Sequence, residues 1–217
     1  AMDTESFHGK EYVEAATGRE CEEYRNGDHT TTLMRTANGK VVEIQHNVMT
    51  PQPYNRLFKL TGTKGYATKY PTPEYALSGE VFKGTDAPQV DNLNAHGFIN
   101  AEQKKALEKK YYHPILTKYG EKGRDMGHGG MDYLILSSFV DSVYEGEKAN
   151  IDVYDTATWM VITCLSEQSV AMGGAPVPVP DFTNGAWIDR EPIRRGMYCL
   201  EEVCEECYEG LDEEVGE

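Results

Sequence analysis

A chain of 217 residues with 39 % hydrophobic and 26 % charged content has the makeup of a soluble globular protein and is long enough to bury a core. Its net charge of −15, offset by no basic stripe, would repel a phosphate backbone and so excludes nucleic acid as a partner. No apolar run approaches the roughly 20 residues that a membrane span needs, and Ala1-Met2-Asp3-Thr4 has neither the basic nor the apolar stretch of a secretion signal.

The charge is uneven: residues 201–217 hold nine acids and no base, leaving about −6 on the rest. That tail reads as a solvated helix end or a disordered segment. Ala1 before Met2 reads as a cloning remnant, and the compartment is expected to be cytoplasm or periplasm, which the chain does not distinguish. The five cysteines are Cys21, Cys164, Cys199, Cys204 and Cys207. Cys204-x-x-Cys207 spans half a zinc site, but no second pair or His follows, so no metal is expected. Cys164 falls on an apolar helical pattern and reads as core packing.

Residues 1–25 read as an irregular or helical lead-in that ends at the turn-like Asn26-Gly27-Asp28. A Thr-rich alternating run at 29–35 predicts a strand, Asn38-Gly39 a hairpin turn, and 40–48 the returning strand with Val42, Ile44, His46 and Val48 on one face. Pro51 and Pro53 interrupt the ladder, because each lacks a donor. A strand is expected to resume over 56–61, turn at Gly62-Thr63-Lys64-Gly65 and return over 66–70, making a meander. Residues 71–100, rich in Pro, Gly, Asn and Asp, predict a long excursion with a short strand near Tyr75 or Val81. Helices follow at 102–110, at 131–144 with Gly146 as its stop, and from Asp152 to Gly173-Gly174. The last should bury Val153, Ala157, Met160, Val161, Cys164 and Leu165. Pro176, Pro178 and Pro180 predict an extended edge segment closing at Trp187. Strands first and helices later give an α+β domain over 26–190, a predominantly antiparallel sheet with helices packed on one face, followed by the acidic tail 191–217.

Neither glycine cluster is a dinucleotide fingerprint, which needs Gly-x-Gly-x-x-Gly between a strand and a helix. Gly62-Thr63-Lys64-Gly65 lies between strands, and Gly127-His128-Gly129-Gly130 follows a polar segment. No cofactor-binding residue and no catalytic residue is assigned in this chain, since no pair of carboxylates has a spacing that argues acid/base work. Three features carry possible chemistry. In Pro51-Gln52-Pro53-Tyr54-Asn55-Arg56, a rigid connection presents an aromatic ring that can stack on a sugar and a guanidinium that can bond sugar oxygens. The same pattern also fits a surface turn in which Tyr54 covers the sheet edge. His128, among glycines at a helix start, suits either a polar ligand or a capping role. Tyr111-Tyr112-His113-Pro114 is an aromatic cluster that reads as packing.

Pro53-Tyr54-Asn55-Arg56-Leu57 followed by Gly62-Thr63-Lys64-Gly65 resembles the central sheet of the Gfo/Idh/MocA carboxy-terminal domain. Gly127-His128-Gly129-Gly130-Met131-Asp132, Asp152-Val153-Tyr154-Asp155, Leu165-Ser166-Glu167, Ser169-Val170 and Pro180-Asp181-Phe182-Thr183 resemble glycoside hydrolase family 109 in particular. The resemblance runs from about residue 26 to 187 and is weak outside it. It implies the substrate-binding and oligomerisation half of an NAD-dependent α-N-acetylgalactosaminidase, whose amino-terminal Rossmann domain and Tyr-Pro-Thr-His segment this sequence lacks. The family's mechanism is transient oxidation of the sugar at C3 by bound NAD, then elimination, water addition and re-reduction. Tyr54 matches the substrate-contacting Tyr of the family's Pro-Tyr-Ser-Arg-Leu motif, with Asn55 in place of Ser; Arg56 and His128 are further substrate-binding candidates. NAD is thus expected in the full-length protein and not in this chain, with a carbohydrate substrate, the Rossmann domain and a second copy as partners and no activity in isolation. The alternatives are the same domain of a sugar or polyol dehydrogenase, and a non-catalytic interaction domain.

Overall fold

The structure, a computed structural model, describes residues 1–20, 26–47, 49–78, 97–119, 126–191 and 197–199, with backbone alone at 117–119. The chain divides into two compact units, Ala1–Leu57 with Val153–Gly185, and Phe58–Asp152 with Ala186–Glu217. The class is α+β, and every strand pair among the described residues is antiparallel. The expected meander is divided between two three-stranded sheets.

The first unit holds β1 (Met2–Asp3), α1 (His8–Thr17), β2 (His29–Arg35), β3 (Val41–Asn47) and α5 (Val153–Ala171), with sheet order β1-β2-β3. The hairpin falls where Asn38-Gly39 predicts it: Gly39 takes φ +78, and Thr36 N–H donates to the Lys40 carbonyl at 2.9 Å. The register pairs Thr32 with Ile44 and Met34 with Val42. Ile44 at 38 % exposure and Val42 at 40 % are better covered than Val41 at 72 %, in keeping with the predicted face; Val48 lies outside the described residues.

Helix α1 begins without a cap of its own, since Phe7 offers no side-chain acceptor. Asp28, twenty residues on, supplies it. Its carboxylate accepts from the Phe7, His8 and Gly9 amides at 3.0, 2.8 and 2.8 Å. Three of the four orphan amides of the first turn are thereby satisfied by one buried side chain. Burial pushes the Asp28 carboxyl up, but the Gly9, His8 and Phe7 amides, with the neighbouring His8 ring, outweigh it and hold the group below its ordinary 3.8.

Helix α5 ends at Gly173 and Gly174, both left-handed, as expected. The predicted buried stripe is corrected in part: Ala157, Val161 and Leu165 are half-buried, as their spacing requires. Val153, Met160 and Cys164 are exposed, and the buried position is Ser169, flanked by half-buried Ile162, Leu165 and Ser166. Tyr154, Trp159, Met160 and Ile162 spread apolar surface around much of the helix, so spacing alone cannot choose the inward face. Hydroxyl pairing marks it instead: Ser166 Oγ lies 2.9 Å from Thr32 Oγ1, and Ser169 Oγ donates to the Ala175 carbonyl at 2.7 Å. The Pro-rich stretch after α5 joins no ladder, which corrects the expected edge segment; residues 176, 178 and 180 have no N–H to give one.

The second unit holds β4 (Lys59–Gly62), β5 (Gly65–Thr68), β6 (Glu74–Leu77), α2 (Ala101–Tyr111), α3 (Pro114–Tyr119) and α4 (Met131–Glu145), with sheet order β4-β5-β6. The strand expected over 56–61 starts later, at Lys59. Asn55 Oδ1 accepts the Leu57 amide at 2.6 Å, and Leu57 sits at φ +45, so a local side-chain turn replaces the ladder there. Tyr75 falls in β6 as predicted, whereas Val81 lies outside the described residues. Asn100 and Gln103 close a reciprocal capping box on α2, at 2.9 and 3.0 Å. Leu107 of α2 and Ile99 are buried together against Tyr75, Leu77 and Ala106. Full burial of two such side chains contributes about 2 kcal/mol each. Helix α4 ends at left-handed Gly146, as predicted, and has no buried residue. No helix among the described residues is long and apolar enough to cross a membrane.

Candidate functional site

The segment leaving β3 is shaped by Asn47. Its side-chain oxygen accepts the Thr50 amide at 3.2 Å and the Thr50 hydroxyl at 2.7 Å, while its carbonyl accepts Gln52 Nε2 at 3.3 Å. The chain is thus turned before Pro51 and Pro53, neither of which can extend β3. Tyr54 emerges 71 % exposed, so its ring covers no sheet edge. Arg56 Nε donates to the Tyr54 hydroxyl, and the guanidinium carbon lies 5.6 Å from the ring centroid. One cation therefore contacts both the face and the hydroxyl of one aromatic. The neighbouring Asn55 turn, with Leu57 left-handed, fixes the backbone between them.

That constellation offers a flat apolar ring, an oxygen already oriented by a charged donor, and a planar guanidinium beside it. A sugar presents an apolar C–H face and a rim of hydroxyls, and the pair is complementary to both. The sequence points to Tyr54 and Arg56; it misses Asn47 and Asn55, which position them. An Asn at a strand end before a Pro-rich run, and another two residues before a left-handed residue, are the available signals.

His128 belongs to the other unit. Gly127, His128, Gly129 and Gly130 take φ values of +81, +45, +70 and +95 in succession, a left-handed run that leads into α4. A Cβ at Gly127 would lie 2.6 Å from Asp132 Oδ2, so any other residue there would displace that carboxylate and be strained at φ +81. His128 Nδ1 is 2.9 Å from that carboxylate oxygen, and both side chains are exposed. Asp132 brings negative charge to the first turn of α4, where the helix dipole favours it. The ring is thus oriented by a carboxylate four residues on, a partner that helical spacing makes legible once the helix start is fixed.

Gly62 and Gly65 pair with each other across the β4–β5 hairpin, and the left-handed run at 127–130 comes after α3 in chain order. The β4–β5 turn joins two strands and so is not the strand-to-helix turn that lines up amides for a pyrophosphate. Cys204 and Cys207 lie outside the described residues.

A sequence profile described as "Glycosyl hydrolase 109, C-terminal domain" matches residues 1–189. Glycosyl hydrolase family 109 protein 3 of Phocaeicola vulgatus is 64 % identical over 202 residues, covering 93 % of this chain and 37 % of its own length. Glycosyl hydrolase family 109 protein 1 of Bacteroides thetaiotaomicron is 46 % identical, covering 86 % of this chain and 40 % of its own. A family 109 protein of Porphyromonas gingivalis is 43 % identical, covering 91 % and 42 %. The chain spans about two fifths of the length of these relatives, and it belongs to the glycosyl hydrolase 109 carboxy-terminal domain family.

Proposed function

We propose that this chain is the substrate-facing domain of an NAD-dependent family 109 glycosidase, acting on N-acetylgalactosaminide-type sugars by transient oxidation at C3. The observation that supports it is the exposed Tyr54–Arg56 pair on its Asn47-turned rim, within a chain that matches a glycosyl hydrolase family from residue 1 to 189. In this reading Tyr54 stacks on the pyranose and its hydroxyl bonds a sugar oxygen. Arg56 holds that hydroxyl in place and offers its fork to the hydroxyls beyond. His128, oriented by Asp132, is a further sugar-binding group. NAD supplies the redox chemistry and is held by the part of the longer protein that this chain does not span. No residue of this chain takes part in dinucleotide chemistry.

The discriminating experiment uses the full-length protein with a nitrophenyl N-acetylgalactosaminide. Nitrophenol release without net NADH accumulation is the expected result. Stoichiometric NADH formed on a free sugar, with no cleavage, would make the protein a dehydrogenase. The proposal includes self-association of the domain. Light scattering should give at least a dimer of the 24.3 kDa chain, and a clean monomer at high concentration would remove that part.

A further inference from the structure

Helix α4 stands in its unit with its apolar side turned outward. Ile135, Leu136, Phe139, Val140 and Val143 are each between 59 and 65 % exposed. At about 100° per residue they form one stripe roughly 140° wide. The opposite side carries Ser137, Ser138, Asp141 and Ser142, and this polar side meets the rest of the unit. Its three serines are half-buried. Ser138 Oγ accepts from Asn150 Nδ2 at 2.7 Å, and Asp141 Oδ2 accepts from the Tyr198 hydroxyl at 3.0 Å. An amphipathic helix ordinarily buries the stripe and leaves the hydroxyls to water; α4 does the reverse. The five exposed residues present on the order of 600 Å² together, as much as the largest apolar patch of a typical monomer. That is most of the roughly 800 Å² that each side of a standard interface buries.

Charge and chain length narrow what covers the stripe. Helix α4 carries Asp132, Asp141 and Glu145 and no Lys or Arg, in a chain of net charge −15. A second copy seated on it would set acid against acid. About three fifths of the length of each relative, by contrast, lies outside the stretch that this chain matches. We propose that the outer stripe of α4 is a docking surface for the portion of the longer protein that this chain does not span. The surface it meets is apolar, with Lys or Arg at its rim to face the three acids. The helix thereby joins its own unit through hydroxyls and a carboxylate, and its partner through hydrocarbon. Association of two copies then uses another face of the domain.

The test is photocrosslinking of the full-length protein with Phe139→benzoylphenylalanine as the probe. No sugar or NAD enters it, so its outcome is independent of the reaction. On irradiation the probe should join α4 to a peptide outside residues 1–217 of the same molecule, in a yield that dilution does not change. That peptide should carry apolar residues with Lys or Arg beside them. Links confined to residues 1–217 would overturn the docking surface, as would links between molecules that fade on dilution, a link to an acidic segment, or no link to protein at all. Val140→Cys is the milder probe if the first variant does not fold. Maleimide should label its thiol at least tenfold more slowly in the full-length protein than in the 217-residue chain, and equal rates would remove the contact.

Discussion

Tyr54→Phe in the full-length protein is expected to lower kcat/KM for the sugar substrate about tenfold or more and to leave Tm nearly unchanged, a loss of roughly 1.4 kcal/mol in transition-state binding. The expectation rests on the proposed function. The ring stays and can still stack; what is removed is the hydroxyl that accepts from Arg56 Nε and would bond the sugar. With 71 % of Tyr54 exposed, its hydroxyl contributes little to folding. The effect should be coupled to Arg56, because the hydroxyl and the guanidinium orient each other. A cycle with Arg56→Lys, which keeps the charge but loses the planar fork, should be non-additive by about 1 kcal/mol. Unfolding of Tyr54→Phe with intact turnover per folded molecule would make Tyr54 a packing residue and remove the sugar contact.

Asp28→Ala is expected to produce the largest stability loss of any single turn substitution in the first unit, with Tm lower by roughly 3–6 °C. Most caps serve one or two amides, whereas Asp28 serves three, and alanine leaves all three without an acceptor. The Asp28→Asn variant retains one acceptor oxygen and should fall between. The pH dependence identifies the cause. The folded carboxyl is held below its ordinary 3.8, so its contribution is complete above that value and is lost as pH falls through the folded value. The gap in Tm between wild type and Asp28→Asn should therefore be constant near neutrality and narrow below about pH 4. A gap that persists unchanged into strong acid would mean that the carboxylate charge is not what caps α1.

The features legible in the sequence are those whose causes lie within a few residues. Asn38-Gly39 demands a left-handed turn, so the β2–β3 hairpin can be placed. Gly146 and Gly173-Gly174 stop α4 and α5 where expected for the same reason. What escapes has a distant or competing cause. Asp28 reads as a turn residue because nothing near it announces the α1 amides twenty residues earlier. The strand expected over 56–61 starts late because Asn55 captures the Leu57 amide before the ladder can. Spacing finds only half of the inward face of α5, at Ala157, Val161 and Leu165, because its apolar side chains nearly encircle it, and two serines pair inward beside them. At the candidate site the aromatic and the cation carry a chemical signature, which makes Tyr54 and Arg56 visible. Asn47 and Asn55 act on backbone geometry, which composition does not display.

The left-handed run at Gly127–Gly130 governs how any deletion of the His128 imidazole has to be designed. At φ +45 every residue with a Cβ is strained, so alanine would keep the strain while removing the Asp132 contact that offsets it. A His128→Ala enzyme with poor activity would then report a disturbed entry to α4 as readily as a missing side chain. Glycine is the cleaner deletion, because it removes the imidazole and relaxes the backbone together. Asparagine, the side chain that best tolerates this conformation, is the natural control for shape without a ring.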